Sequence, residues 1–340
     1  MIISRAPLRA NDIGGWTDTW FAEGGKVLNL AVAPPVEVGV KITHLREKKA
    51  ERILFKVRDY GKTFRMNPDK PGKDPHPLLQ AAAGMTAVPE DKELTVSISS
   101  PAPPGSSLGT SASVCVALLG ALSRSADLEV SAPQVWKWAH KVETIQLGLQ
   151  SGIQDQISAS YGGVCFIDVF RYPEARVHRL KPSENFLREL NRRLLVVYLG
   201  KAHRSSDIHE RVIRTLERGG KKNKSLDRLK DAAEEARHHI EKENLSGYGR
   251  CMIRNHECQR ELHPKLISHE AEKVAAAARR YGALGWKVNG AGGEGGSMTV
   301  LNGGNSQNRG NLAHEINNLG NGIRVIPACI SRTGLTVEVN

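Results

Sequence analysis

The stretch that most restricts the fold is Leu94-Thr-Val-Ser-Ile98, followed by Pro101-Ala-Pro-Pro-Gly-Ser-Ser-Leu-Gly-Thr-Ser-Ala-Ser113 and an apolar run ending near Leu122. The first part alternates apolar and polar residues at period two, as a half-buried strand does. The last part, Ala112–Leu122, is apolar along its whole length, which predicts a buried helix. A strand, a Gly/Ser loop and a helix in that order make a cradle for an anion. Gly105 and Gly109 let the backbone approach closely, the helix N-terminus carries a partial positive charge, and Ser106, Ser107, Thr110 and Ser111 supply hydroxyls. No G-K-[ST] follows, so this is not a Walker A loop. A serine-capped turn is the plain alternative, and the neighbouring motifs weigh against it.

Around this unit the chain mixes strands and helices without strict βαβ alternation, which predicts an α+β fold in two halves. Val36–Ile42 alternates like a strand, a short apolar helix is expected near Leu78–Met85, and Ser131 is a plausible N-cap for a helix running from Ala132 through Leu147. Gly163–Val169 reads as a strand. Arg192–Leu199 reads as a buried strand opening the second half, with the halves meeting near Phe170–Asn191. Helical patterns follow at Ser206–Arg218, Asp227–Lys242 and Pro264–Tyr281, with closing strands at Ser297–Leu301, Gly322–Ile326 and Gly334–Val339. The run Asn302–Asn311 is rich in Gly and Asn and reads as a mobile loop. The expected division is 1–180 and 190–340.

The 40% hydrophobic and 25% charged content is that of an ordinary globular protein. No stretch approaches the ~20 uninterrupted apolar residues that span a bilayer, and the N-terminus lacks a signal-peptide pattern, so a cytoplasmic protein is expected. The five cysteines form no C-x-x-C pair, which argues against a zinc site or a disulfide framework. The net charge of +12 admits nucleic acid as a partner. Aromatic residues are only 5%, however, and no basic-aromatic stripe is present for base stacking, so that class ranks low. The basic segment from Lys201 to Lys230 reads as a solvated helix followed by a basic loop.

Three ordered motifs resemble those of the GHMP kinase superfamily, in its sugar-kinase branch. They are Arg5-Ala-Pro-Leu-Arg-Ala-Asn-Asp-Ile-Gly-Gly-Trp-Thr-Asp18, the Gly/Ser loop, and Lys287-Val-Asn-Gly-Ala-Gly-Gly-Glu-Gly-Gly296, and together with their links they span nearly the whole chain. The resemblance implies a two-domain fold with the active site between the halves, the second being ferredoxin-like. It also implies an ATP- and Mg2+-dependent kinase, with a homodimer admitted. Pro104, Gly105, Ser106, Ser107, Leu108, Gly109, Thr110 and Ser111 would wrap the ATP phosphates. Ser111 and Glu143, the latter twelve residues before Asp155, would hold the magnesium ion. Asp155, in Gly152-Ile-Gln-Asp-Gln156, would be the catalytic base. Arg9 would keep Asp155 ionised and add positive charge beside the transferred phosphoryl group. Two departures stand out. Glu294 interrupts a glycine run and should point away from phosphates, and Ser107 replaces a usual glycine, which is tolerable at negative φ.

The same resemblance points to a sugar or sugar phosphate as acceptor. Gly14-Gly15-Trp16-Thr17-Asp18 is similar to kinases acting on the anomeric hydroxyl of L-fucose, L-arabinose and heptose 7-phosphate. Asp18 would accept sugar hydroxyls, with Trp16, Gly15 and Thr17 around it and Gly292 and Gly293 opposite. Trp16 is equally readable as a core tryptophan. A heptose 7-phosphate, placed first, needs charge for its own phosphate, which His203 and Arg204 could supply. A neutral sugar is the alternative, and a ligand-binding protein without turnover is a lower-ranked one.

Overall fold

The computed structural model describes every residue but 23, 74, 203–206 and 220–223. Its spine is β1 (Ile2–Ile13) against the long β2 (Gly25–His44). There follow β3 (Ile53–Val57), β4 (Lys62–Met66), α1 (Pro77–Gly84), β5 (Lys92–Ser99), α2 (Thr110–Ser125), α3 (Ala132–Lys141) and α4 (Gln154–Tyr161). The chain continues through β6 (Val164–Arg171), β7 (Glu174–Leu180), α5 (Glu184–Arg193) and β8 (Leu194–Leu199). After α6 (Asp207–Gly219), α7 (Lys224–Glu241), α8 (Leu245–Leu262) and α9 (His269–Arg280) come β9 (Gly285–Val288), β10 (Ser297–Leu301), α10 (Ser306–Asn317) and β11 (Ile323–Ile326). Two last strands, β12 (Cys329–Ile330) and β13 (Thr336–Val339), close the fold.

Among the described residues the first sheet runs β13-β1-β2-β5-β3-β4, with β6 and β12 also on β2 and β7 on β6. All its pairings are antiparallel except β3 with β5. The second sheet is antiparallel, in the order β11-β8-β10-β9. The α+β fold in two halves expected from the sequence is therefore present. The first core forms where alternate residues of β1, β2 and β5 meet α2, whose Cys115, Val116, Leu118, Leu119 and Leu122 are wholly buried. Each such aliphatic residue contributes about 1.5–3 kcal/mol by leaving water. Leu195, Val197, Val274, Val300 and Leu312 anchor the second core.

Several expectations need correcting. Arg192 and Arg193 end α5 rather than begin a strand, and both pair with Glu189 one turn back. The stretch read as a mobile loop becomes helical at Ser306, because the Asn305 side chain caps the backbone of Asn308. The segment Phe170–Asn191, read as the meeting point of the halves, contains β7 of the first sheet and most of α5, which leads into β8 of the second. Residues 329–339, grouped by sequence with the second half, return to pair with β2 and β1 of the first sheet. The helix from Ala132 changes at Val142–Gln146 into a π-helical turn, with Leu147 N donating to Val142 O at 3.1 Å. The basic segment is in part a solvated ion-pair surface: Arg214 pairs with Glu210, and Arg228 with Glu261.

The two halves are joined by a buried polar seam. Lys287 Nζ donates to Asp12 Oδ1 at 2.9 Å, and both side chains are withdrawn from solvent. Gly290 N donates to the same oxygen at 3.0 Å. Asn11 bonds Asn289 and Tyr248, while Gly14 N donates to Asn255 Oδ1. Burial works against a charged Asp12, but Lys287 and Arg9 outweigh it and hold its carboxyl below the usual range. Removing one partner of a buried ion pair strands the other and costs roughly 3–5 kcal/mol. Lys287→Met should therefore lower the free energy of chemical unfolding by about that amount, and Asp12→Leu combined with Lys287→Met should recover most of the loss.

Candidate functional site

The loop between β5 and α2 wraps the mouth of a cavity of about 330 Å³, lined by Pro104 through Ser111 together with Val57, His76, Leu79 and Ile98. Gly105 and Gly109 lie at φ of 65° and 68°, the left-handed region their lack of a Cβ permits. Ser107 also has positive φ, at 56°, contrary to the expected negative value. For a residue with a Cβ this costs roughly 1–2 kcal/mol. The turn directs the Ser107 carbonyl to Arg9 Nη1 at 2.9 Å. Ser106 Oγ and Thr110 Oγ1 are buried with no hydrogen-bond partner among the described residues, as fits hydroxyls that serve an anion. Apolar walls beside a helix N-terminus with open hydroxyls suit a purine and its phosphates.

Arg9, on β1, reaches from beneath this loop into a second cavity of about 500 Å³. Its fork grips Asp155 bidentately, Nε to Oδ1 at 2.7 Å and Nη2 to Oδ2 at 3.0 Å. The Arg9 side chain is 5% exposed and that of Asp155 28%, so the carboxylate presents itself to the cavity while its partner stays buried. Burial opposes the Arg9 charge, but Asp155 and Asp12 more than offset it and raise its pKa. The guanidinium is a fixed cation whose position is set by three groups, namely Asp155, Asp12 and the Ser107 carbonyl.

Asp18 lines the same cavity, its Oδ2 accepting from Ile153 N at 2.8 Å and Gln154 N at 3.0 Å. Burial pushes its carboxyl up to about 6, and the charge of Asp155 adds to that. Trp16, Trp20 and Phe21 form an aromatic wall, with Trp20 and Phe21 edge-on at 5.0 Å between centroids. Trp16 lines the cavity and also belongs to a buried apolar cluster with Val212, Leu216 and Leu229. Gly15 and Thr17 do not line the cavity. Thr17 Oγ1 donates to Gly14 O and accepts from Lys26 N, bracing the turn, and a Cβ on Gly15 would lie 2.6 Å from Asp12 Oδ2. Gly292 and Gly293 sit behind Gly290 and Ala291, which face the cavity; Gly293 N donates to Leu266 O at 2.7 Å. Glu294 is exposed, as expected. His203 and Arg204 lie outside the described residues.

Glu143 lies on the π-helical turn, buried, and accepts from Ser151 Oγ and Gln156 Nε2 on Oε2. Burial pushes its carboxyl up to about 7, with Asp155 contributing. No cluster of three or more His, Cys, Asp or Glu is present among the described residues. Magnesium asks for less: one or two protein oxygens, with phosphate oxygens and water completing the shell. Exposed Ser111 in the phosphate-loop cavity and Glu143, with Oε2 already oriented, fit that demand. Sequence reasoning missed Asp12, Gln154, Trp20 and Phe21. Charged Asp12 and Lys287 within otherwise apolar or glycine-rich motifs were a usable signal, because such residues are rarely buried unless paired.

Comparison with known proteins gives this geometry its context. Residues 77–163 match the model of the GHMP kinases N terminal domain. Mevalonate kinase of Thermococcus onnurineus is 32% identical over 274 residues, covering 77% of this chain and 74% of that protein. The chain belongs to the GHMP kinase family. It is accordingly an ATP-dependent small-molecule kinase. The bifunctional fucokinase/GDP-fucose pyrophosphorylase of Arabidopsis thaliana is 27% identical over 311 residues, or 86% of this chain but only 29% of that protein's length. Among solved structures, a D-glycero-D-manno-heptose 1-phosphate kinase from Bacteroides thetaiotaomicron superposes with a TM-score of 0.77 at 19% identity, covering 100% and 99% of the two chains. Lactococcus lactis galactokinase, complexed with galactose, gives 0.75 at 16% identity, covering 98% and 95%. No helix among the described residues is long and apolar enough to cross a membrane.

The raised carboxyl of Asp18 has a measurable signature. Its folded-state value, about 6, exceeds the ordinary value of 3.8, so the folded state binds the proton more tightly and stability falls as pH rises between those values. Asp18→Asn removes this dependence. Relative to the parent, the variant should gain on the order of 2–3 kcal/mol between pH 3.5 and pH 7.5, read from denaturation midpoints across that range.

Proposed function

We propose that this kinase transfers the γ-phosphoryl group of ATP to the anomeric hydroxyl of a neutral sugar. The observation that carries the reading is the lining of the larger cavity. It combines Asp18 and Asp155, the Gln154 amide and an aromatic wall, and among its described residues the only cation is Arg9, already engaged by Asp155 and the Ser107 carbonyl. Carboxylates that accept hydroxyl protons beside aromatic faces suit a polyhydroxylated neutral ring. They repel an acceptor that carries its own carboxylate, which weighs against mevalonate. The anomeric position is supported by the likeness of Gly14–Asp18 to sugar 1-kinases and by the fucokinase relative. A heptose 7-phosphate is the second reading, favoured by the basic residues His203 and Arg204 in the sequence.

In this proposal Asp155 holds the acceptor hydroxyl in line and receives its proton as the oxygen attacks phosphorus. Arg9 keeps the carboxylate in one orientation and places fixed positive charge at the junction of the two cavities. The amides and hydroxyls of residues 104–111 grip the donor phosphates, with Ser111 and Glu143 as the magnesium ligands. Magnesium, when bound, neutralises charge on the phosphates and on the departing ADP. The apolar and aromatic walls limit water at the reacting atoms, which favours transfer over ATP hydrolysis.

The test is ATP consumption with L-fucose, L-arabinose, a heptose 7-phosphate and mevalonate, repeated with Asp155→Asn. Turnover of a neutral sugar is expected, with kcat falling about 10²–10⁴-fold in the variant and KM for ATP unchanged. Turnover of the heptose 7-phosphate alone moves the reading to the second acceptor. Turnover of mevalonate alone, or an undiminished Asp155→Asn enzyme, overturns the proposal.

A further inference from the structure

We infer that the side-chain amide of Gln154 is a specificity-determining contact of the acceptor site, bonding a substrate hydroxyl other than the one phosphorylated. The inference rests on the sugar-kinase reading above. Gln154 opens α4 immediately before Asp155 and lines the larger cavity together with Asp155 and Asp18. It is 8% exposed. Its backbone is committed on both sides: N donates to Asp18 Oδ2 at 3.0 Å, and O accepts from Asn29 Nδ2 at 3.3 Å. The residue is therefore pinned in place. Its side chain serves nothing comparable. Oε1 is buried with no hydrogen-bond partner among the described residues. Gln156, two residues on, also leaves its Oε1 without a partner among the described residues, but its Nε2 donates to Glu143 Oε2 at 2.7 Å and it does not line the cavity.

A buried polar atom without a partner costs about 1–3 kcal/mol, and it persists where a ligand completes it. A carboxamide offers both a donor and an acceptor, and a sugar hydroxyl can take up either. The placement also suits the reaction. Asp155 addresses the reacting hydroxyl, and the residue beside it on the first turn of the same helix is in position to read a neighbouring one. A site built to bond a hydroxyl discriminates strongly against an analogue that lacks it, because its own polar group is then left unpaired. The competing explanation is a buried water shared with Asp12 Oδ2, which is also without a partner and lies 2.6 Å from the position a Cβ on Gly15 would take, with Gln154 Nε2 at 3.3 Å from the same point.

Gln154→Met keeps volume and removes both polar atoms. The expected result is a melting temperature equal to or above the parent's, an unchanged KM for ATP and an acceptor KM raised at least about tenfold. With L-fucose and its monodeoxy analogues, the parent should lose strongly on removal of one particular hydroxyl, and Gln154→Met should be indifferent to that same removal. Should Gln154→Met not fold, Gln154→Asn, which keeps the chemistry but withdraws its reach, is expected to show the same selective loss. A lowered melting temperature with an unchanged acceptor KM identifies a structural water and overturns the inference. So does a variant as sensitive as the parent to every deoxygenation. If mevalonate is the acceptor turned over, the proposed function falls while the inference is read on mevalonate, where an unchanged KM in the variant overturns it. If no acceptor is turned over, both fall.

Discussion

A single carboxylate oxygen organises the molecule. Asp12 Oδ1 accepts from Lys287 Nζ and Gly290 N and lies 3.5 Å from Arg9 Nη1, so one atom ties the glycine-rich segment of the second half to β1 of the first. Two well-packed apolar residues in place of the ion pair would stabilise the fold as well or better, since both ions must leave water. Apolar contacts tolerate sliding, whereas this arrangement has one register. That register fixes Arg9, and Arg9 in turn orients Asp155 and holds the carbonyl of Ser107 in the phosphate loop. The two cavities are thereby aligned on a common side chain.

The charge balance around Arg9 is deliberately incomplete. Asp155 lies close enough to influence both Asp18 and Glu143, and among the described residues lining the cavity Arg9 is the one guanidinium beside Asp18 and Asp155. Burial, with the charge of Asp155 adding to it, leaves Asp18 and Glu143 holding their protons to about 6 and about 7. Under the proposed function, a divalent cation arriving with the nucleotide would supply positive charge opposite these carboxylates. Acceptor recognition and donor binding are electrostatically linked for the same reason.

Much of this was legible in the chain. The strand, Gly/Ser loop and helix unit was readable because period-two alternation, punctuation and a continuous apolar run each carry a local physical signal. Arg9, Asp18 and Asp155 were found by motif order, and the structure brings all three to one cavity. What escaped depended on tertiary contact. α8 was unread because glycines and buried polar residues interrupt its apolar pattern; Gly249 is there because a Cβ would meet Leu284 O at 2.3 Å. The π-helical turn carrying Glu143 has no composition of its own. Gly15, Thr17, Gly292 and Gly293 sit in motifs that line the site, yet they support its walls, a distinction of one residue's rotation that spacing alone does not encode. The Asn-rich approach to α10 was misjudged because the same residue types make loops and caps.

The path of the chain has a mechanical consequence. It leaves the first sheet after β7, builds the second half, and returns through β12 to a place beside β2. Two covalent crossings, with a buried ionic seam between the halves, act like a door hung on two hinges with its bolt shot. Opening the cleft by swinging the halves apart would expose Asp12 and Lys287 together. At the rim of the larger cavity, the Trp20–Ala22 turn is latched to Glu217 on α6 through the Trp20 indole. Under the proposed function, acceptor and product pass that rim, while beneath it Asp155 is held by the two-bonded grip of Arg9.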